Sequence, residues 1–112
     1  MAKFMVLYRS SASASEQMAA GTPEQAQAGM EAWMKWAGSA GSALIDLGSP
    51  LNQVATVGNG GSKETGQPIG GFSILEAPSA DAAKKLVSDH PHLGMPGESS
   101  IEILEYLPIP GS

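Results

Sequence analysis

Residues 3–8 read KFMVLY, and the architecture turns on which of these side chains face which way. Successive side chains of an extended strand alternate between its two faces. Phe4, Val6 and Tyr8 therefore point one way, Met5 and Leu7 the other. Both faces are apolar, which is the pattern of a central strand covered on each side. The run gives way to RSSASAS at 9–15, a small-residue polar cluster that reads as a loop.

Downstream, TPEQ at 22–25 is a helix start. Thr22 is placed to be the N-cap, Pro23 suits the first helical position, and Gln25 completes a capping box. Ala26, Met30, Trp33, Ala37 and Ala40 then recur on one face, with Gln27, Glu31 and Lys35 away from it. On this count Trp33 is the core residue, while Trp36 and Met34 flank the stripe, where an indole and a soft thioether can edge a pocket or a subunit contact. Gly38 and Gly41 end the helix.

SALIDLGSP (42–50) predicts a second strand with Asp46 as its one charge, and a brief strand is expected over Val54–Val57 before a glycine-rich loop. GGFSILEA (70–77) is the third main strand. Ser79 caps a second helix with Asp81 in its first turn; Ala83, Leu86, Val87 and His90 share its apolar stripe, and Pro91 stops it. SIEILEYLP (100–108) is the last strand.

The resulting order, β-α-β-β-α-β, predicts an α+β, ferredoxin-like domain: an antiparallel sheet with two helices on one face. That plan leaves the other sheet face bare, although its strands carry apolar residues there. Two such faces packed together would hide both, so a homodimer is expected.

At 112 residues the chain is a single domain, residues 1–112. Eleven acidic residues against six scattered basic ones give a net charge of −5, which disfavours nucleic acid as a partner. No apolar run approaches the ~20 residues of a membrane span. There is no cysteine, hence no disulfide or thiolate chemistry, and the cytoplasm is the expected compartment.

MEAWMKWAGSAGSALIDLGSPL (30–51), IGGFSILEAPSADAAKKLVSDHPHL (69–93) and SIEILEYLPIP (100–110) resemble the YCII-related (DGPF-type) proteins of the dimeric α/β-barrel superfamily. The most specific pieces are the W-M-x-W segment with its D-x-G-x-P, and G-G-F-x-I-L-E-A-P-S running into H-P-H-L. The resemblance implies a ferredoxin-like subunit that dimerises through its sheet. Relatives in that superfamily include cofactor-free isomerases, dehalogenases and monooxygenases, and haem binders. The chain departs from the family twice: VGNGGSK stands where the DGPF motif would fall, and the first helix lacks the histidine that the original YCII-type members pair with an aspartate.

His90 is the sharpest chemical candidate. Its place on the helix stripe turns the imidazole toward the sheet, at a helix end that favours protonation. It is either an acid/base group or a cap on a free carbonyl. His92, past the proline, reads as a loop residue. Asp46 is either a buried proton acceptor, partner to His90, or a carboxylate serving the Gly-Ser-Pro turn. Two histidines without a third adjacent ligand make a metal site improbable. The glycine clusters lack the lysine and helix of a phosphate loop. The expected function is binding of a small molecule beside Trp33, Trp36 and Met34. One version is cofactor-independent acid/base chemistry by His90 and Asp46 on a small organic acid or lactone. The alternatives are a non-catalytic accessory or ligand-sensing protein, and a cofactor-free oxygenase.

Overall fold

The fold is given by a computed structural model that describes residues 1–11, 21–60, 68–94 and 98–110. The loop expected at 12–15 and the glycine-rich stretch at 61–67 lie outside the described residues. Strand β1 (Ala2–Ser10) leads to helix α1 (Pro23–Ala40), a short 3-10 turn (Gly41–Ala43) and β2 (Leu44–Pro50). Then come β3 (Ile69–Ala77), α2 (Ala80–Val87), a second 3-10 turn (Pro91–Gly94) and β4 (Ser99–Glu105). The sheet order is β2-β3-β1-β4, with every neighbouring pair antiparallel. This is the α+β, ferredoxin-like arrangement expected of the sequence. The expected strand over Val54–Val57 is absent: that segment carries no ladder, and Val54 and Val57 are exposed. Its apolar residues have nothing to pack on within one chain.

The capping chemistry forms as the residue types require. Gln25 N–H donates to Thr22 Oγ1 (3.1 Å), and Thr22 N–H donates to Gln25 Oε1 (2.9 Å). Ser79 Oγ accepts from Ala82 N–H at 3.1 Å. Helix α2 ends with its last carbonyls paired. Lys85 O accepts from Ser88, Leu86 O from the indole N–H of Trp36 (2.8 Å), and Val87 O from the backbone N–H of His90 (3.1 Å). Those are the groups a helix end leaves without intrahelical partners.

Alternation in β1 and β3 decides the two sides of the sheet. Phe4, Val6, Tyr8, Leu75 and Ala77 are buried under the helices with Trp36, Ala83 and Val87. Burying each of the larger apolar side chains contributes about 1.5–3 kcal/mol. The core stripe of α1 is Trp33, Trp36, Ala37 and Ala40 rather than the longer one running back through Met30 and Ala26. The first half of the helix, Pro23–Glu31, is exposed, so Ala26 and Met30 have no sheet beneath them. This reverses the expected roles of the tryptophans: Trp36 is buried in the core and Trp33 is half-buried at its edge.

The opposite sheet face carries cross-strand rows read directly from the register. One row is Asp46–Ile74–Met5–Leu104 and the next is Ser49–Phe72–Leu7–Glu102. Within one chain no helix covers these side chains, and Leu104 is 45% exposed. Edge strand β2 is irregular on both sides of Asp46. Gly48 makes this possible: its φ is +86°, and a Cβ there would lie 1.6 Å from the carbonyl oxygen of Phe72.

Candidate functional site

His90 lies beyond α2, which ends at Val87, and its ring is 2% exposed. Three aromatic rings surround the imidazole: Trp36 at 4.3 Å between centroids, Trp33 at 4.4 Å and Tyr8 at 4.8 Å. The backbone N–H of His92 donates to His90 Nδ1 at 3.0 Å. In the neutral ring the proton therefore sits on Nε2. That atom is buried and has no hydrogen-bond partner.

The expectation that the helix end favours a protonated His90 is overturned. Burial pushes its pKa down to about 4, the nearby His92 adds to the shift, and Asp89 opposes it. Desolvating an imidazolium among aromatic rings outweighs a dipole whose reach is about one turn. Nor does the ring cap a carbonyl, since the backbone N–H of His90 does that work.

His92 is likewise not a simple loop residue. It is 5% exposed, and its Nε2 donates to Arg9 O at 2.8 Å and lies 3.2 Å from Ser100 O. Arg9 and Ser100 face each other across the β1–β4 ladder, so the ring ties the 3-10 turn to both strands. Sequence reasoning missed this; Pro91, which folds the chain back in a compact turn, was its only local signal.

Tyr8 supplies the floor of the site. Its hydroxyl donates to Ser73 Oγ at 2.8 Å, and Ser73 Oγ donates to Leu47 O at 2.6 Å. Burial holds the phenol up at about 12, against a smaller opposite effect of the Ser73 bond. It stays a neutral donor.

Asp46 is elsewhere. It is exposed, and its Oδ1 accepts the N–H of Gly48 at 2.9 Å, the turn-serving role weighed above. Its cross-strand partner is Ile74, on the sheet face opposite Tyr8 and His90, so the backbone layer stands between the two proposed proton carriers. Met34 is 54% exposed and outside the aromatic cluster. The structure thus brings together His90, Trp33 and Trp36, and leaves Asp46 and Met34 apart from them.

A shallow depression of ≈ 360 Å³ lies elsewhere, lined by Ala43, Glu76, Pro78, Lys85 and Leu86 among others, and none of the expected site residues borders it. Among the described residues no group of three or more histidine or acidic side chains assembles in metal-ligating reach. No helix of the described residues is long and apolar enough to cross a membrane. No protein-family model matches the chain, and no curated protein matches it either.

Proposed function

We propose that this chain is a small-molecule-binding protein of the YCII-related kind, working as a homodimer, with its ligand held in the aromatic box around His90. The observation that carries the reading is the Nε2–H of His90, buried among three aromatic rings with no acceptor. Leaving such a donor unpaired costs about 1–3 kcal/mol. Native proteins retain groups like this where something outside the chain completes them. Half-buried Trp33 is the movable wall, and its rotation admits the ligand. The same geometry favours binding or sensing over proton transfer. With Nδ1 occupied by His92 and Nε2 protonated, the neutral ring offers a donor, and Asp46 cannot serve as its partner within one subunit.

The dimer rests on the bare sheet face. The rows through Ile74, Met5 and Leu104, and through Phe72 and Leu7, form a contiguous apolar surface that a second copy would cover.

Two measurements test this reading. In a thermal-shift screen of small planar compounds, the hits must move the ring resonances of His90 and the indole N–H of Trp33 in ¹H–¹⁵N spectra. Hits that leave both unmoved would remove the site. Sedimentation equilibrium should give a dimer for the native chain and a monomer for Leu7→Glu; a native monomer at tens of micromolar defeats the dimer.

A further inference from the structure

Resting on the ligand site just proposed, the charge of the box limits what it accepts. The side chains that enclose it (Tyr8, Trp33, Trp36 and His90) carry no formal charge in their resting states. The basic side chain nearest in sequence on β1, Arg9, is on the other sheet face, in close charge contact with Glu102. The charged group acting on His90 besides His92 is Asp89, an acid. A carboxylate entering here would lose its water, gain one hydrogen bond from a neutral donor, and meet no cation. Such desolvation is far less favourable than that of a carbonyl making the same bond. The flanking indoles and phenol favour a flat ring system.

We infer that the box selects an uncharged planar compound presenting a carbonyl-type acceptor to Nε2 of His90, and rejects the carboxylate-bearing form of the same ring. This departs from the small organic acid expected of the sequence, because no cation stands where an acid would need one.

The test uses coumarin, a flat neutral lactone, and coumarin-3-carboxylate, titrated at neutral pH into the full chain with ¹⁵N-labelled histidine and tryptophan. Coumarin should shift the His90 Nε2–H and Trp33 resonances and bind at least tenfold more tightly than its carboxylate. His90→Phe, which keeps an aromatic ring and drops the donor, should weaken coumarin binding by a similar factor. If the carboxylate moves the same resonances with equal or higher affinity, the charge selection is overturned while the site itself stands. If neither compound moves them up to its solubility, the site falls and the selection with it.

Discussion

His92 holds His90 by a single backbone bond: the N–H of one donates to Nδ1 of the other at 3.0 Å, two residues away across Pro91. That contact fixes the tautomer and aims Nε2–H into the rings of Tyr8, Trp33 and Trp36. At the same time the His92 ring is anchored on β1 through Arg9 O at 2.8 Å. The two histidines thus form one assembly, in which His92 provides the mounting and His90 the donor.

Acid should weaken the fold through His90. Its pKa falls from the ordinary 6.5 to about 4 in the folded chain, chiefly because burial disfavours the charged ring. As pH drops below 6.5 the unfolded chain takes up the proton first. The stabilisation is therefore fully present above about 6.5 and is lost as pH falls toward 4. The loss is on the order of 2 kcal/mol. Urea unfolding from pH 7 to pH 4 should show this slope in the native chain and a shallower one in His90→Phe. Equal slopes would mean that the ring is not buried neutral.

Trp36→Phe should destabilise the chain by about 2 kcal/mol, because the Leu86 carbonyl at the end of α2 loses its indole donor and the core loses volume. Trp33→Phe, at the half-buried edge, should be milder. Chemical denaturation of the two variants ranks them, and the opposite order would contradict the observed stripe.

Two glycines should respond in opposite senses. At Gly48 a Cβ would collide with the Phe72 backbone, so Gly48→Ala should cost more than about 3 kcal/mol or prevent folding. Gly38 lies within α1 with nothing within 4 Å of such a Cβ, so Gly38→Ala should stabilise by about 0.5–1 kcal/mol. Thermal melts of both variants decide the matter.

His92→Phe should remove the donor shared by Arg9 O and Ser100 O, lowering stability by about 1–2 kcal/mol. Hydrogen exchange should speed up where β1 meets β4. If protection there is unchanged, His92 does not tie the strands.

Asp46→Ala should cost about 1 kcal/mol by releasing the Gly48 turn, while leaving ligand binding at the aromatic box intact. Loss of binding would show that Asp46 reaches the site after all.

Local chemistry along the chain already specifies the α1 and α2 starts, the four strands and the two-sided apolar character of β1. Capping boxes, serine caps and period-2 alternation involve residues only a few positions apart, and their energies do not wait for the rest of the fold. What residue spacing could not settle was the phase of α1. Met30 and Ala26 continue the same helical stripe as Trp33, and only the extent of the sheet beneath decides that Trp36 is buried and Met30 is not.

The site divides in the same way. That His90 faces the interior follows from its place on an apolar stripe. Its lowered proton affinity, its tautomer and the anchoring of His92 on Arg9 depend on groups up to 83 positions distant. The separation of Asp46 from His90 depends on strand register, since a partner on Ile74 puts the carboxylate on one side of the sheet and Tyr8 lies on the other. Burial and pairing are properties of the assembled layers, and those are what turn a histidine and an aspartate that look like partners into two residues with the backbone between them.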